Sequence, residues 1–301
     1  MSTYHVSVLL NESIEHLNIR PDENYVDLTF GAGGHSRSIL NVLSAKGHLY
    51  GFDQDVDAAA NVIQDPRFTL IEANFRYIRR FLRLEGIYEV SGILADLGVS
   101  SHQLDAAVRG FSYRFDAPLD MRMNKEADFS AQDLLMTYDE EDLVRVLSDY
   151  GEVRNAKTLA KALVTGRKLV ALKSTFDLNR ILDQQLMGPR MKYFSQVYQA
   201  LRMEVNDEIG ALKEMLIEGT RVLKPGGRFV VITFHSIEDR VVKNYFKTGN
   251  FEGVVEKDEF GNIYRPFRLV NKNVIMAGKE EQKVNPRSRS AKLRAAEKVD
   301  E

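Results

Sequence analysis

Through the first hundred positions, short runs of β-rich apolar residues alternate with stretches of helical periodicity. Residues 25–30 read as a strand that runs into the loop Gly31-Ala32-Gly33-Gly34, and 36–45 follow as a helix. Residues 48–52 predict a second strand ending at Asp53, and 68–73 a third. A helix over 75–85 and a fourth strand over 92–95, ending at Asp96, complete the series. Strands that alternate with helices predict a parallel sheet with crossover helices, one half of a Rossmann-like α/β fold.

The same texture returns downstream. Leu201, Val205, Ile209, Leu212 and Leu216 recur at helical spacing and predict one long helix with a single buried face. Leu223-Lys224-Pro225-Gly226-Gly227 then supplies a stop signal. A strand over 228–234 follows, with His235-Ser236 at its edge, and then a helix over 237–246. Two weaker β-like runs, 253–257 and 267–270, predict an antiparallel pair closing the sheet. Between the halves, an irregular aromatic and charged loop at 109–124 leads into helical patterns at 130–148, 155–165 and 175–186. The simplest organisation is a discontinuous sheet domain, 1–104 and 195–301, carrying an inserted helical domain, 105–194.

Composition narrows the chemistry. The 301 residues, 44% of them apolar, suffice for a large core. No apolar run approaches the ~20 residues that span a bilayer. The first residues lack a basic region followed by a long apolar one, so a cytoplasmic location is expected. The absence of cysteine removes disulfides, thiolate metal sites and thiol nucleophiles together. Six histidines without a metal-binding spacing predict no metal site. With a net charge of −2, any attraction to a polyanion must come from a local patch. One candidate is Lys283, Arg287, Arg289, Lys292, Arg294 and Lys298, opposed only by Glu297; the bland alternative is a solvated terminal helix.

The loop at 31–34 would place backbone N–H groups and a helix N-terminus at the carboxyl edge of the sheet, where such folds bind ligands. Asp53, twenty residues after Gly33, ends the second strand, where a carboxylate can accept from both ribose hydroxyls of an adenosine. Dinucleotide sites favour G-x-G-x-x-G, whereas this loop reads G-x-G-G and continues into His35. Together with the Leu-Lys-Pro-Gly-Gly connection and the weak terminal β pair, it favours S-adenosylmethionine over a dinucleotide. Asp96 reads as a second strand-end acid of the same site or as a turn cap. His35 alone would more often be a solvated loop histidine, and Phe75 either core or the wall of an adenine pocket.

The motifs Thr29-Phe30-Gly31-Ala32-Gly33-Gly34-His35-Ser36, Asp96-Leu97-Gly98-Val99-Ser100-Ser101-His102-Gln103-Leu104-Asp105 and Phe234-His235-Ser236-Ile237-Glu238-Asp239-Arg240 stand in this order. With His5-Val6-Ser7-Val8-Leu9-Leu10, Arg109-Gly110-Phe111-Ser112, Pro118 to Met123, Gln199-Ala200-Leu201-Arg202 and Asn285 to Ser290, they cover nearly the whole chain. In these the chain resembles the bacterial RsmH (MraW) family, the 16S rRNA cytosine-N4 methyltransferases. The resemblance implies a class I S-adenosylmethionine-dependent methyltransferase fold whose inserted helical domain helps to recognise RNA. It implies cofactor contacts at Gly33, Gly34, His35, Asp53, Phe75, Asp96 and Gln103, and 16S rRNA, near the ribosomal P site, as partner. Leu28 stands where the family often has Gly, Tyr198 where Phe is usual, and Thr158-Leu159 where a more basic pair is common.

The N4 amine of cytosine is a poor nucleophile because its lone pair is delocalised into the ring. An acceptor for its N–H bonds helps it to pyramidalise, and Asp96 is the candidate. The match to amino-methyltransferases is partial, because Asp96 is followed by Leu-Gly-Val rather than Pro-Pro and an aromatic. Phe111, Tyr113 and Phe115, interleaved with Arg109 and Arg114, would form a platform for a flipped base or anchor an ordered loop to the core. Arg122 lies in the same loop. Gln199, Arg202 and Asn206 recur at i, i+3 and i+7 and would face the cleft or hold loops. His235 borders the substrate side, and Arg287 and Arg289 would attract phosphate. The competing functions are methylation of another amine, such as adenine N6 or a protein side chain, and a catalytically idle RNA-binding assembly factor.

Overall fold

The structure, a computed structural model, describes residues 7–100, 103, 107–257, 259–261, 263 and 265–300. His5, Val6, Ser101, His102, Leu104 and Asp105 of the family motifs lie outside these residues. Contacts divide the chain into two compact units, Met1–Gly98 with Gly210–Glu301, and Val99–Ile209.

The first unit is built on an eight-stranded sheet. Its strands are β1 (Asn24–Asp27), β2 (His48–Asp53), β3 (Phe68–Glu72), β4 (Val90–Asp96), β5 (Leu223–Thr233), β6 (Phe267–Leu269), β7 (Ile275–Met276) and β8 (Lys292–Lys298). The order is β3-β2-β1-β4-β5-β8-β6, with β7 paired to β8. The first five strands are parallel, and β8 runs antiparallel to β5, β6 and β7. β4 is buried at every position except its last, as expected of a strand covered on both faces. Register sets Asp27 opposite Gly51 and Leu94, so Asp27, Asp53 and Asp96 all end at the carboxyl edge of three neighbouring strands.

In this unit α1 (Leu10–Leu17) precedes β1, and α2 (Gly34–Val42), α3 (Ile78–Leu84), α9 (Glu208–Val222) and α10 (Ser236–Thr248) lie between strands in the chain. A short helix, α11 (Lys279–Val284), precedes β8. Val8, Leu9, Ile39, Leu94, Val230 and Leu293 share one buried cluster, joining β8 to the core.

Three expectations change here. Residues 292–298 are neither a free basic tail nor a terminal helix but an interior strand, with Leu293, Ala295 and Ala296 buried. Their cations are spent inside the unit: Arg294 Nε lies 2.7 Å and Lys292 Nζ 3.3 Å from Asp239, and Lys298 Nζ donates to the carbonyl of Thr220 at 2.8 Å. The run 253–257 forms no strand; it contributes only an isolated bridge between Lys257 and Ile263. β5 also starts earlier than expected, at Leu223, because an irregularity between Val90 and Gly92 lets the Pro-Gly-Gly turn join the strand.

The second unit is helical: α4 (Ala131–Thr137), α5 (Glu140–Asp149), α6 (Ala156–Leu169), α7 (Thr175–Gln184) and α8 (Arg190–Val205). Side-chain caps start three of them. Ser130 with Asp133 and Ser174 with Asp177 form capping boxes, and Asp139 caps α5. Asp139 is also why the pattern at 130–148 is two helices rather than one. Tyr193, Phe194, Val197, Tyr198, Ala200 and Leu201 of α8 bury in this unit's core, so the boundary falls at residue 209 rather than 194. The long helix expected from Leu201 to Leu216 is broken, since Asn206 caps α8 and Asp207 takes φ +45°. No helix among the described residues is long and apolar enough to cross a membrane.

Candidate active site

At the carboxyl edge of the sheet unit the glycine loop turns through two left-handed residues, Gly31 at φ +51° and Gly33 at φ +75°, and α2 begins at Gly34. The loop is tied to β2 by Asp53, whose Oδ2 accepts from the Gly31 N–H at 2.8 Å and whose Oδ1 accepts from the Asp55 N–H at 2.9 Å. Burial pushes the Asp53 carboxyl up to about 6, although these two N–H groups pull it down. Asp27 holds the loop from the other side, accepting from the Ser36 hydroxyl at 2.6 Å and the Thr29 N–H at 3.2 Å.

Asp96 stands at the end of β4, its own N–H donating to the Thr29 hydroxyl at 2.7 Å. Oδ1 is buried without a hydrogen-bond partner among the described residues. Oδ2 lies 3.9 Å from Nδ1 of His35. Burial, reinforced by the negative charges of Asp27, Glu238 and Glu281, holds the Asp96 carboxyl well above the ordinary range. His35 is not a solvated loop histidine: it is 5% exposed, and its Nε2 lies 3.1 Å from the carbonyl of Val8. A carbonyl only accepts, so Nε2 carries a hydrogen and Nδ1 faces Asp96. Phe75 opens a short turn after β3 and is half-buried, its entry fixed by the Asn74 carboxamide.

At the end of β5, His235 caps α10. Nδ1 accepts from the Glu238 N–H at 3.4 Å, Glu238 accepts from the Phe234 N–H at 3.0 Å, and the two side chains lie 3.2 Å apart. This reciprocal cap commits much of His235 to the turn.

In the helical unit the candidate RNA-contact residues are largely engaged with their own chain. Arg109 is 5% exposed, and its Nη2 donates to the carbonyls of Arg122 and Met123 at 2.7 and 2.9 Å. Phe111 is buried, and Tyr113 meets Phe194 and Tyr198 edge-on at 5.6 and 5.7 Å. The expected base platform is therefore corrected: these rings anchor the loop, and Phe115 is its exposed ring. Arg122 grips Asp120 through two nitrogens, at 2.6 and 3.1 Å. Gln199 donates to the Tyr150 carbonyl at 2.8 Å, and Arg202 clamps Glu208 at 2.6 and 2.8 Å. Asn206 accepts from the Met123 N–H and donates to the Met121 carbonyl, both at 2.7 Å. Gln103 is buried and exchanges bonds of 3.1 Å with Ser100 in a reciprocal cap. Arg287 and Arg289 are exposed on the turn Pro286–Ser290.

Residues 2–299 match the MraW methylase family. Proteins called Ribosomal RNA small subunit methyltransferase H are similar throughout: 55% identity to the one from Phocaeicola vulgatus over 98% of this chain and 97% of the relative. The counterpart from Parabacteroides distasonis is 56% identical over 99% of this chain and 98% of its own, and that from Flavobacterium johnsoniae 52% identical over 98% of each. The chain belongs to the MraW methylase family. Its sheet is that of a class I S-adenosylmethionine-dependent methyltransferase, as the sequence pattern leads one to expect.

The edge of this methylase fits that cofactor. A Cβ on Gly34 would overlap the Ser7 hydroxyl, and one on Gly33 would press on Phe30 at 2.8 Å, so the cradle admits backbone only. Asp96 offers an unspent buried acceptor in an anionic setting that suits a cation. Sequence reading passed over Asp27, Thr29 and Glu238 as site-builders. An acid at each strand end and a His-x-x-Glu at a helix start were the available signals.

Proposed function

We propose that this methylase transfers a methyl group from S-adenosylmethionine to the exocyclic N4 amine of a cytosine in 16S rRNA, in the P-site region of the decoding centre, and works in the cytoplasm. Support comes from the names of relatives more than half identical over nearly the whole chain and from the family resemblance of the motifs. The observation that carries the reading is Asp96, a buried carboxylate with Oδ1 unspent and Oδ2 beside His35.

The bound cofactor supplies an electrophilic methyl carbon on a sulfonium, which departs as a neutral thioether. Asp53 holds the sugar through lone pairs left over from Gly31 and Asp55. The Gly33-Gly34 backbone lines the approach. Asp96 Oδ1 accepts an N–H bond of the amine and draws its lone pair out of the ring, so that N4 is pyramidal when the new C–N bond forms. Once N4 carries the methyl group, one N4 proton must leave. Asp96, more basic than an ordinary carboxylate, takes that proton and passes it to His35 Nδ1 or to water. The cytosine leaves its stack to reach Asp96.

The test is incubation with labelled S-adenosylmethionine and small subunits from cells lacking the enzyme. The parent protein incorporates label, and Asp96→Ala, folded by circular dichroism, loses at least about a hundredfold in rate. Near-normal turnover by Asp96→Ala would remove Asp96 from the mechanism.

A further inference from the structure

On the sheet unit, outside the strand edge that holds the candidate cofactor residues, a groove of about 450 Å³ runs between the 75–84 segment and α9. One wall carries Arg76, Tyr77, Arg79 and Arg80, and the other Arg221 with Glu214 and Glu218. The charge is concentrated locally: four arginines fall between Arg76 and Arg83, and no acid stands between Glu72 and Glu85, in a chain whose net charge is −2.

The two glutamates offset only part of this charge, against four arginines in the lining. Glu214 holds Arg76 by two hydrogen bonds at 3.0 and 3.1 Å, while Glu218 holds Arg79 at 3.5 Å and also binds Arg221. Arg80 and Arg83 are exposed, and neither meets a carboxylate among the described residues. Exposed rings accompany the cations: Tyr77 is 46% and Tyr88 68% exposed, on either side of α3 in the sequence. Exposed guanidinium groups beside exposed tyrosines suit phosphodiester oxygens and unstacked bases. Phe75, expected on the adenine side of the cofactor edge, directly precedes Arg76 in the chain, so the groove begins next to a residue of that edge.

We propose that this arginine groove is a second RNA-docking surface, taking the phosphate backbone of the rRNA segment that flanks the methylated base, with Tyr77 as a stacking ring. This rests on the rRNA reading above, and the experiment separates the two. Affinity for protein-free 16S rRNA and for small subunits is measured from 0.05 to 0.3 M salt for the parent, for Arg80→Glu/Arg83→Glu and for Tyr77→Ala. Lys272→Glu, an exposed site between β6 and β7, serves as a charge control, and binding of S-adenosylhomocysteine checks that each variant keeps its fold.

Each arginine that neutralises a phosphate contributes about 0.7–0.9 to the salt slope, so the double variant is expected to lose roughly 1.4–1.8 of slope and at least about tenfold in affinity on both substrates. Tyr77→Ala is expected to lose roughly tenfold with the slope unchanged. Slope and affinity in the double variant no different from Lys272→Glu overturn the proposal. So does a loss confined to assembled subunits, which would assign the face to a ribosomal protein. A parent protein without salt-dependent binding to either substrate would bring down the rRNA reading itself, and the groove with it.

Discussion

Asp53 makes cofactor affinity depend on pH in a direction fixed by its surroundings. Burial raises its carboxyl to about 6 in the free protein, and each oxygen already accepts one backbone N–H. Ribose hydroxyls are further donors to those oxygens, and donors favour the ionised form, so binding selects the carboxylate. Lowering the pH through 6 protonates Asp53, and binding must then expel that proton. Affinity is expected to be level above about pH 7 and to fall about tenfold for each unit below 6, leaving it roughly tenfold weaker at pH 5 than at 7.5. Titration calorimetry with S-adenosylhomocysteine, in buffers of differing ionisation enthalpy, reads both the affinity and the released proton. Asp53→Asn should bind weakly and lose the step near 6. It should also melt earlier, because the Gly31 and Asp55 N–H groups keep one acceptor between them, a cost of about 1–3 kcal/mol. Equal affinity at pH 5 and 7.5 in the parent, or the same step in Asp53→Asn, refutes the reasoning.

Arg202 and Glu208 are 13% and 11% exposed and paired, so Arg202→Met leaves a buried charge alone and should cost about 3–5 kcal/mol in chemical denaturation. An unchanged midpoint with weakened RNA binding would instead give Arg202 to the substrate. Replacing Arg287 and Arg289 by Gln should lower RNA affinity and reduce the salt slope by about 0.7–0.9 per residue, with binding of S-adenosylhomocysteine unaltered. An unaltered slope would mean that this turn touches no phosphate. The Tyr198 hydroxyl donates to Asn179 at 2.9 Å in the helical core. Tyr198→Phe strands that acceptor and should cost about 1–3 kcal/mol in thermal melting, whereas undiminished stability would show the hydroxyl to be idle.

The strands through residue 96 and the helices between them were legible because their periodicity is strong and each glycine or acid stands where a turn or strand end needs it, whereas α1, ahead of the first strand, went unread. β8 was not legible either. Lys-Leu-Arg-Ala-Ala-Glu-Lys has no β-branched residue, and its place between β5 and β6 comes from burying Leu293, Ala295 and Ala296 rather than from local preference. The break between α8 and α9 was hidden for the opposite reason, since Leu201, Val205 and Ile209 keep helical spacing across it. What ends α8 is the Asn206 side chain bonding to Met121 and Met123, more than eighty residues earlier. Long-range partners likewise decide the candidate site. The strand-end acids Asp53 and Asp96 could be picked from sequence. That Arg109, Gln199 and Arg202 spend their donors on the chain itself could not, because carbonyl and carboxylate partners leave no mark on residue spacing.

The central claim is the identity of the methylated atom. Small subunits from cells lacking the enzyme, treated with the protein and labelled S-adenosylmethionine, yield RNA whose nucleosides are separated and weighed. The account predicts a single labelled product, N4-methylcytidine, from one decoding-centre position of 16S rRNA. Label in N6-methyladenosine, in a ribosomal protein or nowhere would contradict it.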